Sequence, residues 1–107
     1  MNDAQRAVRK VLRECGRYKK RMLTKMSKEE IWESCGRIHF YCCVREYFAY
    51  NPEIPPEYLM IVSAIQEPVS AMWQLYLKLS SLQYETWEGI EEILDELLLS
   101  WRLPQAG

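Results

Sequence analysis

The first stretch of the chain repeats apolar residues with the period of an amphipathic helix. Between positions 4 and 26 they recur in steps of three or four. The residues concerned are Ala4, Val8, Val11, Cys15, Tyr18, Met22 and Met26. This spacing predicts a helix over residues 1–26 with one face turned toward a core.

The opposite side of this predicted helix carries a row of cations. On a helical wheel these side chains fall within an arc of about 120°. We call them the basic face, and they are Arg6, Arg9, Lys10, Arg13, Arg17, Lys20 and Arg21. Lys19 falls on the apolar side, where its aliphatic stem would lie along the core while its ammonium reaches water.

A second helix is predicted from a capping box at Ser27, because Glu30 follows three positions later. Apolar residues then surround almost the whole cylinder from Ile31 to Phe48, which is typical of a helix at the centre of a domain. The helix should end at Asn51, since the residue before Pro52 is disfavoured in helical geometry. We therefore predict a central helix over about residues 28–50.

Prolines mark the start of two further predicted helices. Pro56 opens a short helix to Ile65, and Pro68 opens another to about Leu79. A last amphipathic helix is predicted over 84–102, with Trp87, Ile90, Leu94, Leu97 and Trp101 on its apolar side. With no strand alternation in the chain, residues 1–107 are predicted to form one all-α domain, a compact bundle of four to five helices.

The outer side of the last predicted helix is acidic. We call it the acidic face, and its members are Glu85, Glu88, Glu92, Asp95, Glu96 and the apolar Leu99, which lands in the same arc. The formal net charge of −1 hides a division of the chain into two oppositely charged parts. Residues 1–28 hold ten Lys or Arg against two acidic residues, a net of +8, and residues 29–107 hold four against thirteen, a net of −9.

The location expected from the sequence is the cytosol. Polar and then basic residues follow Met1, which is unlike a signal peptide, and no stretch approaches the ~20 apolar residues of a membrane span. Four cysteines within helical segments are typical of small buried hydrophobic residues in a reducing compartment.

One cluster raises the question of metal binding. Cys35, His39 and Cys42 share one side of the second predicted helix, so that their side chains could converge. A structural zinc site would need a fourth ligand, and neither Cys15 nor Cys43 has supporting spacing. We expect packed thiols and a hydrogen-bonded His39 in the core, no metal and no cofactor, although spacing alone leaves metal binding open.

Enzyme chemistry is not indicated. The chain has no phosphate-binding glycine loop, no metalloprotease motif and no nucleophile motif, and it holds one histidine and two aspartates. A catalytic thiol would need a base within hydrogen-bond reach and a group to orient it, which the sequence does not supply. We expect a protein that is not an enzyme.

The divided charge favours a binding function. A protein partner contacted through the charged helical faces is the main expectation, and a homo-oligomer is compatible with it. The alternative is a nucleic-acid-binding regulator that uses the basic face, although the isoelectric point of about 5.9 is low for that class. No membrane partner is expected.

Three segments, "SKEEIWESCGRIHFYCCVREYF", "EPVSAMWQLYLKLSS" and "WEGIEEILDELL", follow one another between residues 27 and 98. In this order the chain resembles a family of small uncharacterised helical proteins from gut Firmicutes and their mobile elements. The resemblance implies an accessory protein of a phage or conjugative element that binds a host protein, including inhibitors of defence nucleases such as anti-CRISPR proteins. It implies no catalytic residues.

Overall fold

A computed structural model describes the backbone of residues 2–79 and 82–106 and the side chains of these residues as far as Trp101. These ranges contain six helices and no strand, which confirms the predicted all-α class. The helices are α1 (Asp3–Lys25), α2 (Lys28–Glu33), α3 (Cys35–Tyr50), α4 (Pro56–Ala64), α5 (Pro68–Lys78) and α6 (Trp87–Ala106).

Local capping fixes the starts of the first two helices. The Asn2 side chain accepts a hydrogen bond from the Gln5 amide at 2.8 Å, and the Gln5 side chain accepts one from the Asn2 amide at 3.2 Å. At α2 the predicted capping box is confirmed, because Ser27 Oγ accepts from the Glu30 amide at 3.1 Å and Glu30 Oε1 accepts from the Ser27 amide at 3.0 Å. Each box satisfies amide groups that have no partner inside the helix.

The prolines also act as predicted. Pro56 and Pro68 occupy the first positions of α4 and α5, where a missing amide hydrogen has no cost. Asn51 is the C-cap of α3, with its amide donating to the Tyr47 carbonyl at 3.1 Å. The predicted boundaries around these three positions are therefore confirmed.

The prediction of a single helix over 28–50 is wrong. The helix breaks at Ser34, whose ψ of 10° lies outside helical geometry and whose amide is shared between the carbonyls of Glu30 and Ile31. Trp32 of the short α2 is 81% exposed instead of packed, and no residue of α2 is buried. This break helps to give the described residues six helices, where the sequence predicted four to five.

A single core joins the longer helices. α1 packs mainly on α4 and α3, while α6 packs mainly on α5 and α4. α3 contacts α1, α5 and α6, but only one of its faces is buried, and the expectation that it would be surrounded on all sides is wrong. That buried face consists of Phe40, Tyr41, Val44, Tyr47 and Phe48.

Aromatic side chains fill the space between α3 and α5. The fully buried Phe40 ring lies 5.2 Å from Trp73, 5.6 Å from Tyr76 and 5.2 Å from Tyr84, measured between ring centroids. These separations are typical of stabilising tilted and edge-to-face aromatic pairs. The cluster fixes α5 and the segment before α6 against α3.

The two tryptophans of α6 are less buried than predicted. Trp87 is 46% exposed, with its ring edge-on to Tyr47, and Trp101 is 39% exposed. The core side of α6 is formed instead by Ile90, Ile93, Leu94, Leu97 and Leu98. None of the helices in the described ranges combines the length and apolar character that a membrane span requires.

Candidate functional site

The basic face lies on the outer surface of α1. Six of its seven cations are exposed along the helix, and they are Arg6, Arg9, Arg13, Arg17, Lys20 and Arg21. Lys10 differs, because it is half-buried and its Nζ donates to the Ser63 carbonyl at 2.8 Å. A cation at this position interacts favourably with the last turn of α4. Lys10 therefore stabilises the fold, and the other six cations face solvent.

The acidic face lies on α6 and the residues just before it. Glu85, Glu88, Glu92 and Asp95 are exposed, Glu96 is half-buried and Leu99 is 54% exposed. An apolar side chain of this size among carboxylates is typical of a contact surface, although single exposed leucines also occur on ordinary surfaces.

The basic and acidic faces belong to helices whose main contacts are with other helices and not with each other. In the described part of the chain α1 has its main contacts with α3, α4 and α5, and α6 has its main contacts with the same three helices. Because six cations of the basic face and most of the acidic face are exposed, the two faces do not cover each other. Each remains available to a partner outside the chain.

Two carboxylates of α6 bond to buried tyrosines, which the sequence did not predict. Tyr58 Oη donates to Asp95 Oδ1 at 2.7 Å, and Tyr47 Oη donates to Glu91 Oε2 at 2.8 Å. Burial raises the pKa of both phenols, and the hydrogen bonds to the carboxylates raise it further. Asp95 of the acidic face is therefore part of the contact between α4 and α6 as well as part of the surface.

The expectation that the cysteine and histidine cluster is core packing is wrong. Cys35, His39 and Cys42 are all exposed, because the buried face of α3 is the opposite one. His39 Nδ1 lies 3.1 Å from Tyr84 Oη, and its Nε2 lies 3.6 Å from Cys43 Sγ. The expected hydrogen bond of His39 is therefore present, but His39 lies at the surface and not in the core. Among residues 2–79 and 82–101 no three His, Cys, Asp or Glu side chains are placed to hold a metal ion.

The buried thiol belongs to Cys15, on α1. Its Sγ lies 3.7 Å from the Tyr41 carbonyl oxygen, to which it donates. Burial raises its pKa to about 12. Since the thiolate is the nucleophilic form, this thiol is unreactive at neutral pH.

A buried carboxylate on α1 was also missed. Glu14 is 5% exposed and accepts hydrogen bonds at 2.8 Å from the amides of both Val69 and Ser70, in the first turn of α5. It therefore caps α5 from another helix, where the anion also meets the positive end of the helix dipole. Burial raises the pKa of the Glu14 carboxyl, outweighing the two amide hydrogen bonds that lower it. In the sequence, the only signal for this role is that the polar Glu14 lies near the apolar side of α1.

Beside Glu14 lies a small polar cleft of about 250 Å³. Arg17 and Arg21 of the basic face line it together with Arg37 of α3. The Arg37 guanidinium lies 5.3 Å from the centre of the Tyr18 ring and 5.5 Å from that of Tyr41, and it donates to Tyr41 Oη at 3.2 Å. These contacts hold Arg37 in place and extend the positive surface of α1 onto α3.

The surface of α1 is thus the feature of this molecule most suited to recognition. Six exposed cations follow one helix, and the facing surface of α3 adds Arg37 and Arg45. The arrangement suits an acidic partner. Comparisons with known proteins add nothing to this geometry, because no family model, no curated protein and no solved structure matches the chain.

Proposed function

We propose that this chain is a non-enzymatic binding module that uses the basic face of α1 to bind an acidic surface of a protein partner. The proposal is carried by the six exposed cations of α1, which α6 does not cover. Complementary charge steers two proteins together and fixes their orientation. The resemblance to small mobile-element proteins makes a host defence protein the partner class to test first.

Affinity capture from the source cell, followed by mass spectrometry, tests this function with two matched variants. The basic-face variant combines Arg9→Glu, Arg13→Glu and Lys20→Glu, and leaves out Arg17 because it lies beside the buried Glu14. The control variant reverses three exposed cations elsewhere on the surface, Lys25→Glu, Lys28→Glu and Lys78→Glu.

The wild type and the control variant should capture the same partner, and the basic-face variant should lose it. Surface changes of this kind cost about 0.5 kcal/mol of folding stability or less each, so both variants should remain folded. Far-UV circular dichroism checks that they do. Equal capture by all three proteins would contradict the proposed function.

A nucleic-acid-binding regulator is the second candidate, favoured by the same row of exposed cations. A protein that contacts several phosphates binds duplex DNA with an affinity that falls steeply as salt rises. The acidic face on the same small molecule opposes that binding. Titration of generic duplex DNA at low and moderate ionic strength decides between the two, because the protein-binding function predicts almost no DNA binding at either.

A further inference from the structure

α1 and α3 pack side by side and leave two depressions along their outer seam. One, of about 490 Å³, is lined by α1 residues between 12 and 22 and α3 residues between 38 and 45. The other, of about 580 Å³, is lined by α1 residues between 4 and 9 and by residues between 48 and 59. They follow one another along both helices and cover about 27 Å of α1. We call them together the α1–α3 groove.

The chemistry of the groove is an apolar floor with a cationic rim. Its apolar lining comes mainly from Val8, Leu12, Met22, Ile38 and Phe48. Its charged lining consists of Arg9, Lys19 and Arg45, and the described residues that line the two depressions include no carboxylate. The occupant that matches such a groove is apolar along one side and negatively charged along its edges.

Gly16 keeps the 490 Å³ depression of the groove open. It lies within α1 and lines the groove, and a Cβ placed on it would meet no atom within 4 Å. Glycine weakens a helix relative to alanine, and here no neighbouring atom excludes a side chain. The missing side chain leaves room for an occupant. On a helical wheel Arg9, Arg13 and Lys20 lie within about 60° of Gly16, so the open position borders the basic face.

From these features we infer that the α1–α3 groove is the docking site for an acidic amphipathic helix of a partner protein. The inference rests on the proposed function and adds the shape and chemistry of the partner. A helix fits because a groove of about 27 Å matches roughly five helical turns. Apolar side chains at every third or fourth position would enter the groove, as in other complexes in which a helix binds a hydrophobic groove. Glutamates beside them would meet Arg9, Lys19 and Arg45.

The binding test uses a defined probe and two glycine variants. The probe is a fluorescein-labelled peptide of about five helical turns, with leucines along one side and glutamates elsewhere, and its partner peptide carries lysines in place of the glutamates. Gly16→Leu fills the groove without changing its charge. Gly36→Leu is the matched control, because Gly36 is also exposed, helical and free of atoms within 4 Å of a Cβ, but lies outside the groove.

Fluorescence anisotropy should show saturable binding of the glutamate peptide to the wild type and to Gly36→Leu. The affinity of Gly16→Leu should be lower by roughly tenfold or more, as expected when one of the two depressions of the binding surface is filled. The lysine peptide should bind none of the three proteins. Because leucine favours helix over glycine, both variants should fold, and their circular dichroism spectra confirm this independently.

Thiol footprinting locates the bound peptide. Cys42 is exposed and lines the groove, whereas Cys35 is exposed outside it. Saturating glutamate peptide should therefore slow the alkylation of Cys42 by N-ethylmaleimide and leave that of Cys35 unchanged. Mass spectrometry of the digested protein reports both sites in a single experiment.

Capture of the cellular partner separates this inference from the proposed function. If the groove is the docking site, Gly16→Leu should lose the partner that Gly36→Leu retains. Loss of the partner by the basic-face variant, together with full capture by Gly16→Leu and no protection of Cys42, would overturn the groove and leave the proposed function standing. Equal binding of the glutamate peptide to Gly16→Leu and the wild type would also overturn it.

Discussion

Replacing Glu14 with alanine should strongly destabilise the fold. Its carboxylate accepts both amide hydrogen bonds that start α5, at 2.8 Å each, from a site that is 5% exposed. In Glu14→Ala both amides lose this acceptor. The Val69 amide is buried, and an unsatisfied buried donor costs about 1–3 kcal/mol, while the part-buried Ser70 amide should cost less. The expected loss is about 2–4 kcal/mol.

Urea unfolding followed by far-UV circular dichroism and tryptophan fluorescence measures this loss. In thermal unfolding, the melting temperature of Glu14→Ala should lie roughly 10 °C or more below that of the wild type, for a chain of this size. The matched control is Glu67→Ala, because Glu67 is an exposed acidic residue at the N-cap of α5 whose side chain makes no capping hydrogen bond. It should change the free energy of unfolding by about 0.5 kcal/mol or less. A Glu14→Ala protein as stable as the wild type would refute the capping role.

The pH dependence gives the same site a second signature. Burial raises the pKa of Glu14 in the folded protein above its ordinary value of 4.5, so the folded state holds the proton more tightly than the unfolded state. The resulting stability is fully present below the unfolded pKa and is lost as pH rises through the folded pKa. The stability difference between the wild type and Glu14→Gln, which does not titrate, should therefore shrink over that range. A difference that grows with pH would contradict this sign.

Three further experiments, two substitutions and one thiol labelling, test other parts of the fold. Gly89→Ala should destabilise α6 by more than 1 kcal/mol, since its Cβ would clash with the backbone carbonyl of Gln83, and thermal unfolding checks this. N-ethylmaleimide should modify the exposed Cys35 in the native protein but leave the buried Cys15 intact until denaturant is added, as peptide mass mapping would show. Tyr47→Phe should cost about 1 kcal/mol, because the α6 carboxylate that now accepts its hydroxyl loses that hydrogen bond; urea unfolding that matches the wild type would contradict this role.

The parts of the fold that depend on local sequence were predictable. The capping box at Ser27, the helix starts at Pro56 and Pro68 and the end at Asn51 all depend on residues within a few positions of each other. Local hydrogen bonding and proline geometry decide such features whatever the rest of the chain does. The strong period of α1 likewise placed six of its cations at the surface.

The features that depend on packing between helices were not predictable. Apolar residues surround almost all of α3, so its sequence could not tell which side would be buried, and the thiols of Cys35 and Cys42 were assigned to the wrong side. The break at Ser34 has no proline to mark it, and the nearby Gly36 lies inside α3 rather than at the break. Glu14 bonds to amides more than fifty positions away, and no local pattern encodes that contact.

The most direct test of recognition by the basic face is the affinity of the captured partner at two ionic strengths, measured by titration calorimetry. The wild type and the control variant should bind with equal affinity that weakens as salt increases, because exposed charges are screened. The basic-face variant should bind at least about tenfold more weakly at low salt, and its remaining affinity should change little with salt. Equal affinities and equal salt dependence for all three proteins would show that recognition lies elsewhere on the molecule.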